Sequence, residues 1–353
     1  MAIIDRPQDY FNTVLYTGNG STQSITGVGF QPDLIWVKSR SNTEPHIWTD
    51  VVRGANKNIR SNATSSEFTD ANNITSFDSD GFSVGTGGAV NENTYTFASW
   101  NWKAGTSVSG DTTGSGTLKT YTGSVNTTSG FSIIKYTGNG TAGHTIPHRL
   151  GVVPKMFIVK SPSIADDGWF VYNGVQGATK NFRMEATGAV GTSTVYWNDT
   201  EPTSSVFTVG NDGGSNANDV SLIAYCFAEK QGYSKFGSYV GNGNADGSFI
   251  YTGFKPAFVI YKGASGTGTT DNWEMIDNKR TDGTIGNPKN EVLYPNANNA
   301  EGVNATDRLD LLSNGFKMRT GSSDYNASGS TYIYMAFAEA PLVGTNNVPC
   351  TAR

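Results

Sequence analysis

The sequence predicts an all-β chain of three tandem β-sandwich modules of jelly-roll-like form, and three observations predict it. Tyr16-Thr-Gly-Asn-Gly20 returns as Tyr136-Thr-Gly-Asn-Gly140 and, with one change, as Tyr239-Val-Gly-Asn-Gly243. Other landmarks keep step with each copy, so the recurrence is a repeat and not chance in a glycine-rich chain. Finally, Gly fills 43 of 353 positions and charged residues only 16%, with Ser, Thr and Asn between short aromatic or β-branched runs. That profile belongs to many short strands joined by turns.

The keeping-step landmarks justify each element in order. Asn-Gly favours a tight two-residue turn, so each copy is expected to open with a hairpin. Next comes a proline followed six residues later by a lysine, Pro32 to Lys38, Pro154 to Lys160 and Pro256 to Lys262, with an apolar run between that reads as a buried strand. A lone tryptophan follows, Trp48, Trp169 or Trp273, expected to be equivalent and buried. A phenylalanine then leads to a closing aromatic strand. The interval is 20 positions from Phe82 to Trp102, 20 from Phe207 to Phe227 and 21 from Phe316 to Phe337.

These landmarks divide the chain into a first module over 1–104 with a short N-terminal arm, a Gly/Ser/Thr-rich linker over 105–129, a second module over 130–232, a third over 233–341 and a tail over 342–353. The linker is too poor in apolar residues to offset its ordering entropy and is read as a hinge. The second and third modules join so closely that they should form a rigid pair. The best helical stretch, Asn304 to Leu312, would make two turns at most.

The formal charge of −5, with Lys and Arg scattered, offers no basic stripe to nucleic acid. No apolar run approaches the length of a membrane span, and the first residues lack the pattern of a secretory signal, so a cytosolic product is expected. Cys226 and Cys350 are read as free thiols.

Candidate chemistry is sparse. Gly138-Asn-Gly140-Thr-Ala-Gly143 fits a dinucleotide pattern, but the other copies lose its third glycine and no helix follows. His144 and His148 lack the helix that would aim both at a metal, and no metal site is expected. Glu229 and Glu339 could suggest a glycosidase pair, but they occupy one repeat position in two different copies. No nucleophile elbow is present, so no catalytic residue and no cofactor are expected. The oxygen-rich stretches 211–219 and 78–81 could hold calcium, although turns rich in Asn and Asp between strands need no ion. Tyr196 and Trp197 in a polar loop, and Tyr332 and Tyr334 on one face of the last strand, are the candidate contact surface. Tyr95 and Phe97 are their counterparts in the first copy.

Longer motifs carry a resemblance. Tyr225 to Gly243, Tyr251-Thr-Gly-Phe-Lys-Pro256, Leu312-Ser-Asn-Gly-Phe-Lys317, Thr331 to Glu339, Gly130 to Gly140 and His148-Arg-Leu-Gly151 resemble a repeat family of uncharacterised function. That family occurs in structural proteins of tailed bacteriophages, many of them marine or aquatic, and Arg149 stands where it more often has Gly. The resemblance covers nearly the whole chain. It implies a place, the virion, assembled in the host cytoplasm, and supplies no catalytic or binding residue. The expected function is a non-enzymatic tail or tail-fibre component presenting a host-contact surface. A head decoration or cement protein is the alternative, and a polysaccharide-trimming tail enzyme a third reading. The expected partners are other virion proteins, further copies of the chain, with a trimer favoured, and a host surface glycan. Neither nucleic acid nor membrane insertion is expected.

Overall fold

Each proline-to-lysine run becomes the middle strand of a sheet whose neighbours are the closing aromatic strand on one side and the tryptophan-bearing segment on the other. The computed structural model describes residues 3–266, 270–281, 286–303 and 308–346, and the chain there is all-β, its named strands paired antiparallel. Leu34–Ser39 lies between Thr96–Trp102 and Ile47–Asp50, with Phe11–Thr17 beyond. The same order recurs with Met156–Lys160 between Ser221–Phe227 and Trp169–Asn173, and with Phe254–Ser265 between Thr331–Pro341 and Glu274–Asp277. Three smaller sheets cover these, containing Gly81–Val84, Val206–Val209 and Gly315–Met318.

Strand alternation sends one set of side chains from each four-strand unit into a cluster common to the whole chain and the other set into a local cluster. The common cluster draws on Trp36, Trp48, Trp100 and Trp102, on Ile158, Trp169, Tyr225 and Phe227, and on Ile260, Trp273, Met335 and Phe337. Local clusters, centred on Phe82 and Phe97, on Phe157 and Phe207, and on Phe316 and Tyr332, fill the space under the smaller sheets. Trp102, Phe227 and Phe337 hold one register position, opposite Leu34, Met156 and Phe258. Their ring centroids form a near-equilateral triangle with sides of 6.4, 6.0 and 5.6 Å. This is a pseudo-threefold axis made by one chain.

The three lone tryptophans are all buried, but they are not all equivalent. Trp36 faces Trp48, Ile158 faces Val171 and Ile260 faces Met275. Trp169 faces Lys160, and one step beyond the Tyr261–Glu274 pair puts Trp273 opposite Lys262. The matching place opposite Lys38 belongs to His46, so Trp48 is displaced by two residues along its strand. Counting landmarks without strand register concealed that shift.

The Tyr-Thr-Gly-Asn-Gly motif is not a hairpin. The strand that contains Tyr16 pairs with Thr96–Trp102, while the next strand, Gln23–Thr26, belongs to a smaller sheet and pairs with Gly81–Val84. Only the second glycine has positive φ, near +68° in all three copies. The motif turns the chain from one sheet to the other and clamps a one-turn helix. Asn91, Asn216 and Asn326 end those helices, and their Oδ1 atoms accept from the backbone N–H of Asn19, Asn139 and Asn242 at 3.0, 2.9 and 3.1 Å. The motif tyrosines Tyr16, Tyr136 and Tyr239 donate to the helix carbonyls of Val90, Ser215 and Tyr325 at 2.6–2.7 Å. A tight turn and a sheet-crossing corner both use Asn-Gly, and only the distant asparagine distinguishes them.

The expected linker is structured. Thr106–Asp111 and Thr120–Asn126 extend the second large sheet, and Thr120–Asn126 pairs with Phe131–Thr137. Tyr121 and Val125 are buried, which supplies the apolar anchorage that the surrounding Gly, Ser and Thr lack. The stretch is therefore paired strand and not a hinge, and the common cluster contains residues of the first unit together with those of the other two. The N-terminal arm docks on its own chain, with Ile4 buried and its N–H donating to the Gln231 carbonyl at 3.1 Å. Leu309–Leu312 is a strand and not a helix, while 304–307 lie outside the described residues. The tail is described to 346, where Thr345 bonds Asp5.

Candidate functional site

The most concentrated chemistry lies at the junctions around the pseudo-threefold axis, and it is consumed in joining them. Trp169 Nε1 donates to the Arg60 carbonyl and Trp273 Nε1 to the Arg183 carbonyl, both at 2.9 Å. Lys160 Nζ donates to the Thr64 carbonyl and Lys262 Nζ to the Thr187 carbonyl, at 3.0 and 3.2 Å. The third junction closes differently, through the Arg40–Glu301 ion pair at 2.7 Å and Ser61 Oγ donating to the Pro295 carbonyl at 2.8 Å. His46 accepts from Trp36 Nε1 at 2.8 Å and turns its other nitrogen toward the Tyr294 and Ala297 carbonyls without a close hydrogen bond. Burial lowers the ammonium pKa of Lys38, Lys160 and Lys262 to about 8. These are buried structural cations with carbonyl partners.

Two buried acid–base pairs recur at the same register. Asp50–Arg53 and Asp277–Arg280 each close at 2.6 Å, and each arginine reaches a glutamate, Glu67 or Glu301, at 3.0 Å. Tyr225 Oη donates to Asp50 at 2.8 Å and Trp100 Nε1 to Asp277 at 3.0 Å. The second unit carries Asn173 and Gln176 instead, and Met335 replaces the tyrosine or tryptophan donor. Burial opposes charge on Asp277, but Arg280 and three further hydrogen bonds hold its pKa below the usual carboxylate range.

The residues expected to act are placed as follows. His144 is buried, with Nδ1 2.9 Å from Asn216 Oδ1 and Nε2 2.6 Å from Thr112 Oγ1, and His148 Nε2 lies 3.1 Å from the Thr203 carbonyl. Glu229 pairs with Lys235 at 2.7 Å, and Glu339 with Lys255 at 3.0 Å. In the oxygen-rich stretches Asp212 caps Gly214 N–H, Asp219 pairs with Lys119, and Asp80 accepts from the Gly27 and Gly29 N–H groups. Among the described residues no three His, Cys, Asp or Glu side chains gather as metal ligands. Cys226 is buried, which pushes its thiol pKa upward, and Cys350 lies outside the described residues.

Of the four residues expected at the contact surface, three are buried and Tyr196 is half-buried. Trp197 is fully buried with Nε1 donating to the Lys180 carbonyl, and Tyr196 packs its ring on Phe170 at 4.6 Å. Tyr332 and Tyr334 are buried beneath the third smaller sheet against Tyr239 and Phe316, and Phe97 is buried in the first unit. Strand alternation found their face correctly; the sheet that covers it was the missing information. The exposed rings are Phe249 and Tyr251, at 46% and 59% exposure, beside Lys317. Comparing Ile25, Ile146 and Ile250 across the repeats would have singled them out. A separate open cleft of about 480 Å³, between Val51–Val52 and the extension strands, is lined by Asp33, Ser107, Ser109, Thr122 and Ser124. Asp33 is engaged there, accepting from Ala104 N–H and Ser124 Oγ at 2.9 Å each.

The described residues form an all-β body of antiparallel sheets that share one common core. The chain belongs to the family described as Domain of unknown function (DUF7483), whose model matches residues 6–341 in one span. No curated protein and no solved structure matches it.

Proposed function

We propose that the chain is a non-enzymatic structural component of a bacteriophage virion, three tandem jelly-roll-like sandwich modules fused into one rigid body on a tail or tail fibre, presenting a host-contact surface. The observation that carries the non-enzymatic part is the fate of its ionisable core. Asp50 and Asp277 accept from Tyr225 and Trp100 of another unit while Arg53 and Arg280 neutralise them, and Lys160 and Lys262 bond carbonyls across the junctions, whereas an active site leaves groups aimed at a cavity. The resemblance of the long repeat motifs supports the virion. The pseudo-threefold axis favours head decoration as a second reading, because one such chain can sit over a locally threefold site.

Cryo-electron microscopy of particles purified from cells producing this chain tests the location. A three-lobed body on the tail or fibre is expected; the same body on the capsid would select the second reading, and particles lacking the chain would overturn both. Incubation with host polysaccharide should release no new reducing ends. Release abolished by Glu229→Gln or Glu339→Gln would overturn the non-enzymatic reading.

A further inference from the structure

Phe249 and Tyr251 break the repeat where packing gives no reason to. Ile25, Ile146 and Ile250 occupy one buried position, opposite Phe82, Phe207 and Phe316. The residues that flank them on the strand are the exposed Ser24 and Thr26, the half-buried Thr145 and buried Pro147, and the exposed Phe249 and Tyr251. Two exposed rings thus replace small or polar residues, two apart and on one face of an edge strand.

Both rings lean over glycine. A Cβ on Gly315, the partner of Tyr251, would come within 3.2 Å of Phe249 Cε2, and one on Gly253 would lie 3.6 Å from Tyr251 Oη. With no side chain beneath, each ring is laid toward the backbone and keeps its other surface to solvent. Across the ladder, Phe249 is opposite Lys317, which is opposite Asp310 on the next strand. Asp246 pairs with Lys317. Arg319 pairs with Asp310 at 3.6 Å, so the aromatic pair is bordered by two ion pairs that offer both donors and acceptors.

We propose that Phe249 and Tyr251 form a stacking platform for pyranose units of a surface glycan, with Lys317, Asp246 and Asp310 hydrogen-bonding the ring hydroxyls. The axial C–H face of a pyranose is apolar and matches an exposed ring, while its rim of hydroxyls needs both donors and acceptors. The half-exposed rings offer roughly 200 Å², against about 800 Å² per partner in a stable protein interface. That size suits two sugar units and is too small for a second copy of the chain. The patch is charge-balanced, its two cations each paired with a carboxylate, and lacks the net positive charge that a nucleic-acid strand requires.

This inference deepens the host-contact reading and rests on it for the source of the glycan. The test is a printed array of pyranose oligosaccharides, including bacterial O-antigen and capsule fragments, probed with the full chain and followed by titration of the strongest ligand. Phe249→Ser with Tyr251→Thr restores the first unit's residues and should melt with the wild-type chain while binding at least ten-fold more weakly. Leu118→Ser, an exposed residue elsewhere, should bind unchanged. The proposal is overturned if the wild-type chain retains no glycan, if the double variant binds equally well, or if both variants lose binding alike. It is also overturned if no glycan binds and the double substitution instead abolishes a concentration-dependent dimer. Particles lacking the chain would defeat the virion reading and leave this binding result standing.

Discussion

Asn91, Asn216 and Asn326 each tie two loops to a helix turn with a single side chain. Asn216 Nδ2 donates to the Gly210 and Thr141 carbonyls at 2.7 and 2.9 Å while Oδ1 accepts from Asn139 N–H. Asn216→Leu leaves those buried groups unpaired and should cost about 2–4 kcal/mol, read from the shift in urea midpoint. The first motif glycine is fixed for a different reason. A Cβ on Gly138 would meet the Ala217 carbonyl oxygen at 2.3 Å, and one on Gly18 the Glu92 oxygen at 2.1 Å. Gly138→Ala should therefore destabilise by about 1–3 kcal/mol in the same assay, although the residue needs no unusual φ. The motif was legible as a repeat, but its partner asparagine lies 72, 77 or 84 residues away, and a local turn rule cannot see that distance.

Protonation is governed at this scale too. Burial holds His46, His144 and His148 below the ordinary histidine pKa, His148 at about 4. The unfolded chain then takes up protons before the folded one, so stability falls as pH drops from about 6.5 toward 4. Glu274 acts in the opposite sense. Burial raises its pKa from 4.5 to about 7 despite Arg308, so its stabilising contribution is present below 4.5 and lost as pH rises through 7. Urea midpoints measured from pH 7 to pH 4 should fall less steeply for His148→Gln than for the wild-type chain. Identical slopes would contradict a neutral buried His148.

Among the elements, the buried acid–base pairs permit a swap that the chain itself suggests. Arg280→Met alone strands Asp277 and should cost about 3–5 kcal/mol. Asp277→Asn with Arg280→Gln installs the residues of the second unit, Asn173 and Gln176, and should recover most of that loss in thermal melting. The extension strands yield a second prediction. Amides paired between 120–126 and 131–137 should exchange as slowly as those between 131–137 and 221–227, where a flexible linker would exchange within seconds. Composition alone made 105–129 a linker, because two anchoring residues, Tyr121 and Val125, are diluted by their neighbours.

For the whole molecule, the all-β class and the buried proline-to-lysine runs were legible, because they follow from side-chain period and from landmarks that recur. The closure of the units into one ring was not. Two junctions depend on Trp169, Trp273, Lys160 and Lys262 reaching backbone carbonyls of a different unit, which carry no sequence signature, and the third on Arg40 meeting Glu301, 261 residues away. Of the rings expected to be shared between chains, Phe97, Tyr332 and Tyr334 are buried within one and Tyr95 is half-buried. The unit of stability should accordingly be the whole chain. Scanning calorimetry of the full-length protein tests this most directly, by comparing the van't Hoff with the calorimetric enthalpy. A single transition with a ratio near one is expected from a common core; two or three resolved transitions, or a ratio near one third, would mean that the units fold separately and would contradict the account.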